Sequence, residues 1–277
     1  MTLTLENKSK STCEKYNFSI YSHKLMMEDL DNHILEILFD GNKLNYLFQK
    51  NLPLTEKSRI PQLQRFIETS FCGREKDVDD TEINTFISSN KNESYYAFFA
   101  EALLARLNID YIDENLVTGV ISVNENLTVV STGADACMFS ADSLVLGEAK
   151  FYGTLNKGIH SIIKDNSFNS KLEDYIKKII SSDSEIILKG ITGDISDKTS
   201  AEIKKLPLIL SGFVLYTKNA SDKYTSTYKL IDKIAIKDFP SNYKIHLYHL
   251  PIKSKIDLIF KAQRMALDLI ISLKTIK

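Results

Sequence analysis

Short apolar runs alternate with polar, glycine-containing segments along the whole chain, which predicts a protein built from both strands and helices. Alternation or short apolar runs predict strands over 16–21, 115–123, 127–130, 134–139, 144–151, 185–188, 206–216 and 244–250. Helical spacing predicts helices over 63–71, 95–108, 152–163, 171–181, 200–205 and 255–274, and helical segments within 25–48. Residues 1–13 are expected to form a flexible polar lead. The predicted fold class is α/β (α+β), with helices flanking a mixed sheet.

The segment 133–150 carries the strongest local signal. Its two apolar runs are separated by Ser-Ala-Asp-Ser, a polar cluster suited to the turn of a β-hairpin. With the turn centred between Ala141 and Asp142, the numbers of opposed residues sum to 283, so Asp135 faces Glu148 across the hairpin. Lys150 follows Glu148 by two residues and shares its face, because side chains alternate along a strand.

Two carboxylates this close repel each other, so a positive charge is expected between them. A divalent cation meets this need, since Mg²⁺ is typically held by one or two carboxylates together with water and phosphate oxygens. A metal-bound water beside a lysine is suited to phosphodiester hydrolysis. The alternative is that Glu148 and Lys150 form an ordinary ion pair and that Asp135 is a solvated acid beside the turn. The apolar flanks make solvation of all three side chains difficult.

The predicted helix over 95–108 is apolar almost all round, which indicates burial. Glu101 lies in its middle, and a buried carboxylate without a partner is costly. Glu101 therefore needs Arg106, a backbone donor or a shared metal site.

Composition and charge restrict the function further. The 277 residues are 43% hydrophobic, enough for one large or two modest domains. There is no apolar run of about 18 residues to span a membrane, and the polar start lacks a signal-peptide core.

Three dispersed cysteines fit a reducing cytoplasm. The five histidines form no metal-binding pattern, and His246 and His249 fall on opposite faces of one predicted strand.

The net charge of −1 conceals two halves of opposite sign. From Ala149 onward, 22 Lys and Arg oppose 13 Asp and Glu, a net charge of +9, whereas the preceding part carries −10. The basic half suits a phosphate backbone and the acidic half suits a protein partner or an inhibitory cover, unless both are simply solvated surfaces. The sequence contains no Gly-rich phosphate loop and no helicase motif, so an ATP-driven motor would have to be on another chain.

An aspartate, twelve intervening residues and Glu-x-Lys together resemble the PD-(D/E)xK nucleases, the restriction-endonuclease-like superfamily. Ala134 stands where the motif has proline, a departure that the superfamily tolerates. The resemblance implies a restriction-endonuclease-like mixed sheet flanked by helices and a further acid from the preceding helix, here Glu101. The helical segments predicted before residue 90 add an N-terminal mostly helical extension to the expected fold. On the following helix, Lys157 and His160 are candidates for phosphate contacts, although each is more readily an ordinary surface residue.

The longer pattern is similar to the HamA family, the nuclease subunits of the Hachiman antiphage defence system. It combines Phe-Phe-Ala-Glu-Ala-Leu-Leu-Ala-Arg-Leu, Thr-Gly-Ala-Asp and Leu-Gly-Glu-Ala-Lys-Phe-Tyr-Gly. The resemblance implies that Asp135, Glu148 and the carbonyl of Ala149 bind Mg²⁺ or Mn²⁺. It also implies that Lys150 acts on the attacking water and that Glu101 is an accessory acid.

The same resemblance implies a DNA nuclease restrained by a separate superfamily-2 helicase, HamB. The expected domains are an N-terminal region over 1–90, a candidate for partner docking, and a PD-(D/E)xK nuclease-like domain over 91–277. Two alternatives stay open at this point: a type II restriction-like endonuclease, and a catalytically silent adaptor that docks a helicase and DNA.

Overall fold

The computed structural model describes residues 4–10, 16–22, 32, 96–123, 134–164, 168, 186–190, 195–217, 243–254, 257–258 and 261. Their order is β1 (Thr4–Lys10), β2 (Tyr16–Ser22), α1 (Tyr96–Tyr111), β3 (Val117–Val123), β4 (Ala136–Phe139), β5 (Leu144–Tyr152), α2 (Leu155–Lys164), β6 (Ile186–Gly190), β7 (Lys198–Thr199), α3 (Ser200–Ile203), β8 (Leu208–Tyr216) and β9 (Tyr243–Pro251).

The nine described strands form one sheet in the order β1-β2-β9-β8-β5-β4-β3-β6-β7. The neighbours β2/β9, β9/β8 and β8/β5 are parallel. The pairs β1/β2, β5/β4, β4/β3, β3/β6 and β6/β7 are antiparallel. The central strands β9-β8-β5-β4 therefore form a mixed sheet, which confirms the predicted α/β class.

Helices cover the two faces of this central sheet. On one face, Leu146 of β5 packs in the same core cluster as Leu155 and Ile159 of α2. On the other face, Val145 packs in a cluster with Ile109 of α1. Burial on both faces explains why β5 and β8 are nearly continuous apolar runs, since strands covered on both faces have no solvent-facing side to carry polar residues.

Two glycines allow the helices to lie close to the strands. A Cβ atom at Gly147 would lie 2.6 Å from the Ser211 hydroxyl oxygen and 2.8 Å from Cδ2 of Leu104. A Cβ atom at Gly158 of α2 would collide with Cγ1 of Val214 in β8. Real Cβ atoms do not approach other heavy atoms this closely, so a methyl group at either position would push the helix away from the sheet.

The structure confirms most of the predicted elements that it describes. The hairpin is present, the helix predicted over 95–108 extends to Tyr111, and strands lie in the segments predicted around 16–21, 115–123, 185–188, 206–216 and 244–250. The Ser254 hydroxyl accepts a hydrogen bond from the N–H of Asp257 at 3.2 Å, as expected for the cap of the last helix. The elements predicted at 63–71, 127–130 and 171–181 lie outside the described residues, and so does all of 25–48 except Asn32.

The prediction of a flexible lead over residues 1–13 was wrong for the segment that the structure describes. Thr4–Lys10 forms β1 and pairs antiparallel with β2. A polar sequence suits an edge strand because only one of its sides pairs with the sheet. Through β2, the strand also joins β9, so residues from the predicted N-terminal region belong to the same sheet as the hairpin. The proposed boundary near residue 90 stays a prediction.

The helices of the described segments include none that combines the length and the hydropathy needed to cross a membrane.

Candidate active site at the β4–β5 hairpin

The β4–β5 hairpin has the predicted register. Ala136 opposes Gly147 and Phe139 opposes Leu144, so the numbers of opposed residues sum to 283. The ladder ends at Ala136, and beyond it the N–H of Asp135 donates to the carbonyl of Gly147 at 2.9 Å. Asp135 and Glu148 therefore lie just beyond the last pair of the ladder. They do not form a ladder pair themselves, so the prediction that the two residues face each other directly was wrong.

The carboxylate of Asp135 is fixed by the neighbouring strand. Its Oδ2 atom accepts a hydrogen bond of 2.8 Å from the N–H of Ala149. Ala149 lies between Glu148 and Lys150 on β5, so this bond holds the Asp135 carboxylate beside both of them. Asp135 also precedes Cys137 by two residues, and Cys137 packs in the core cluster on the α2 face.

Glu148 and Lys150 form an ion pair on the same face of the sheet. The Lys150 Nζ atom donates to Oε2 of Glu148 at 2.9 Å. The Glu148 side chain is 0% exposed, whereas that of Lys150 is 24% exposed. A buried carboxylate needs a charged or hydrogen-bonding partner, and Lys150 supplies one.

The pKa of Lys150 reports on both carboxylates. Burial alone would lower the pKa of the ammonium group, but the hydrogen bond to Glu148 and the negative charges of Glu148 and Asp135 outweigh burial and raise it. The arrangement is therefore two carboxylates gathered around one cation. This confirms the geometric part of the prediction, in which an acid, an acid and a lysine converge.

This donor set fits a hard divalent cation. Mg²⁺ commonly takes only one or two carboxylates from a protein and completes its shell with water and phosphate oxygens. Asp135, Glu148 and the carbonyl of Ala149 provide such oxygen donors within one short segment. Among the described residues, no group of three or more His, Cys, Asp or Glu side chains is arranged to hold a metal ion.

Glu101 has a different placement from the hairpin residues. It lies on α1, and α1 covers the face of the sheet opposite to the side chain of Glu148. Leu104, one helical turn later, lies against Gly147, so Glu101 is located toward the N-terminal end of the helix from that contact. The side chain of Glu101 is outside the described part of the chain, and its accessory role stays a prediction. Arg106, one partner considered for it, forms an ion pair with Asp110.

The helix after the hairpin begins later than predicted. Tyr152, expected to open a helix, is the last residue of β5, and its hydroxyl forms a hydrogen bond of 2.9 Å with the Ser161 hydroxyl of α2. Tyr152 continues the alternation of Glu148 and Lys150, and this spacing by itself indicates a strand residue on the same face. Lys157 and His160 are exposed on α2, which agrees with their interpretation as ordinary surface residues.

A buried histidine lies in the same row of the sheet as Lys150. Lys150 is paired with Val214, and Val214 is paired with His249 of β9. Residues paired across parallel strands share a face, so His249 is on the α2 face, two strands from Lys150. Burial lowers the pKa of its imidazole to about 3. His246 is paired with Ser211 on the opposite face, which confirms the predicted separation of the two histidines.

No protein-family model matches this chain, and no curated protein matches it either.

Proposed function

We propose that this chain is a metal-dependent DNA endonuclease of the PD-(D/E)xK kind, which hydrolyses phosphodiester bonds with little sequence preference. The observation that carries the proposal is the cluster of Asp135, Glu148 and Lys150 on one face of the hairpin, with Lys150 2.9 Å from Glu148. Two acids that can hold a divalent metal, with a lysine beside them, are residue types suited to this hydrolysis. A purely structural ion pair would need only one acid.

In this proposal each residue has a defined role. Asp135, Glu148 and the carbonyl of Ala149 hold Mg²⁺ or Mn²⁺, which when bound stabilises negative charge on the phosphoryl oxygens and lowers the pKa of a coordinated water. Lys150 orients the attacking water and adds positive charge beside the scissile phosphate. The Asp135–Ala149 hydrogen bond keeps the first carboxylate in place. Glu101 is proposed as an accessory acid.

We further propose that the nuclease acts in antiphage defence under the control of a partner helicase. The support is the resemblance of its helix and hairpin to the HamA family, whose members work with the superfamily-2 helicase HamB. The net charge of +9 from Ala149 onward suits DNA, and the acidic preceding part suits a protein partner.

Plasmid degradation by the purified chain, with and without Mg²⁺, tests the proposal. We expect the wild type to convert supercoiled plasmid to a smear, and Glu148→Ala and Lys150→Ala to leave it intact. Lys205→Ala is the matched control, because Lys205 is an exposed lysine after α3 and far along the chain from the hairpin. If the chain alone is inactive, the assay is repeated with the helicase, ATP and linear DNA.

Two results would overturn the proposal. Discrete bands from the wild type would indicate a restriction-like enzyme in place of one with little sequence preference. Absence of Mg²⁺-dependent cleavage in both assays, with wild-type defence retained by Glu148→Ala in cells, would indicate an adaptor without catalysis.

A further inference from the structure

The Glu148–Lys150 ion pair occupies one of the two oxygens of the carboxylate to which the proposed metal would bind. Lys150 donates to Oε2 of Glu148 at 2.9 Å, and the Glu148 side chain is 0% exposed. A divalent ion on either oxygen, Oε2 or the buried Oε1, would lie close to the ammonium group unless that group moved. Lys150 is able to move because its own side chain is 24% exposed and a lysine stem is flexible.

Electrostatic repulsion opposes the binding of both cations to the Glu148 carboxylate at the same time. A divalent ion and an ammonium group on the two oxygens of one carboxylate would lie a few ångströms apart and repel each other strongly in a site with little solvent. Without either cation, the buried charge of Glu148, with Asp135 nearby, would be uncompensated. The site therefore exchanges one cation for another.

We infer that Lys150 is the counter-ion of the metal-free site, and that a divalent metal binds Glu148 by displacing the Lys150 ammonium group. This inference rests on the proposed function, and it gives Lys150 a second role as the residue that sets metal affinity. The metal-free site keeps the buried Glu148 carboxylate paired, and it takes up metal only at concentrations that overcome the ion pair.

A lysine that competes with the metal can be distinguished experimentally from a lysine that is only catalytic. Removing the charge of Lys150 abolishes cleavage in either case. If Lys150 competes with the metal, its removal also tightens metal binding. If Lys150 acts only on the water, metal affinity stays unchanged, and if it positions the ligands, affinity falls.

Mn²⁺ binding to the full chain, measured by calorimetry and by the loss of the free-ion electron paramagnetic resonance signal, distinguishes these cases. We expect Lys150→Gln and Lys150→Met to bind Mn²⁺ at least about tenfold more tightly than the wild type, the factor that corresponds to a weak charge-assisted hydrogen bond. Lys150→Arg, which retains the cation, should stay within about threefold of the wild type. Glu148→Gln is the control that loses binding.

Lys150→Gln keeps a hydrogen-bond donor near Glu148, so it tests the inference even if Lys150→Met does not fold without metal. Equal or weaker Mn²⁺ binding by Lys150→Gln overturns the inference. If the wild type still degrades plasmid in that event, the proposed function stands. Absence of Mn²⁺ binding in every variant, together with absence of cleavage, overturns both.

Discussion

The carboxylate of Asp135 accepts a hydrogen bond of 2.8 Å from the main-chain N–H of Ala149, which joins the start of β4 to the middle of β5 beyond the last ladder pair. One side chain thereby has two separable properties. Its oxygen completes the backbone hydrogen bonding of the hairpin, and its charge contributes to the proposed metal site.

The two properties of Asp135 can be separated by substitution. Asp135→Asn retains an acceptor for Ala149 and loses the charge, so we expect a free energy of unfolding within about 1 kcal/mol of the wild type and no nuclease activity. Asp135→Ala removes both and should cost about 1–3 kcal/mol. Urea denaturation and plasmid cleavage measure the two effects. Equal destabilisation by both variants would show that the Ala149 hydrogen bond contributes little.

The Glu148–Lys150 pair should show strong coupling in the metal-free protein. Lys150→Met leaves a buried carboxylate without its cation and should destabilise the fold by about 3–5 kcal/mol. In Glu148→Gln the lysine is 24% exposed and can turn to solvent, so the cost should be smaller. We expect the double variant to be at least about 1 kcal/mol more stable than the sum of the single effects predicts. A double-mutant cycle in urea with a chelator measures this, and additive effects would contradict it.

Gly158 is predicted to be required for the close contact of α2 with β8. Gly158→Ala should lower the free energy of unfolding by up to about 2 kcal/mol, because overpacking against Val214 costs about 1–3 kcal/mol and is offset only in part by a gain of about 1 kcal/mol in helix propensity. Thermal melting measures the loss. Asn156→Ala, at an exposed position of the same helix, is the control and should be neutral or stabilising. Adding Val214→Ala to Gly158→Ala should restore part of the stability, and failure to do so would contradict the contact.

His249 should make the protein sensitive to acid. Its pKa is lowered to about 3 by burial, so the folded state keeps the imidazole neutral while the unfolded state takes up a proton below about pH 6.5. The contribution of the neutral His249 to the free energy of unfolding is therefore fully present above pH 6.5, and it is lost as the pH falls toward 3. Between pH 7 and 4.5, this single group should account for about 3 kcal/mol.

His249→Gln tests the origin of this acid sensitivity. The variant cannot titrate, so its free energy of unfolding should fall less between pH 7 and pH 4.5 than that of the wild type. Urea titrations at the two pH values give the comparison. Because other groups also titrate, the relevant quantity is the difference between the two proteins, and parallel pH profiles would exclude His249 as the source.

The hairpin site was largely predictable because its information is local. Polar residues at the turn fixed the register, and period-two alternation placed Glu148 and Lys150 on one face. The same alternation pointed to Tyr152 as a strand residue, yet the apolar spacing that follows it also fits a helix, and the boundary was misplaced. The polar β1 could not be recognised because a strand of that composition is stabilised by its pairing with β2 and not by its own pattern.

The sequence by itself determined most of the described elements, the hairpin and the grouping of Asp135, Glu148 and Lys150, because turn chemistry and side-chain alternation act over a few residues. Only the tertiary structure decided that α1, with Glu101, covers the opposite face, and that Val214 and His249 continue the row of Lys150 across β8 and β9. Strand order and helix packing depend on contacts between segments far apart in the sequence, as in the pairs Leu144–Leu208 and Tyr16–Tyr243. No local pattern specifies which buried apolar surfaces will meet, because most apolar runs can be buried equally well against several others.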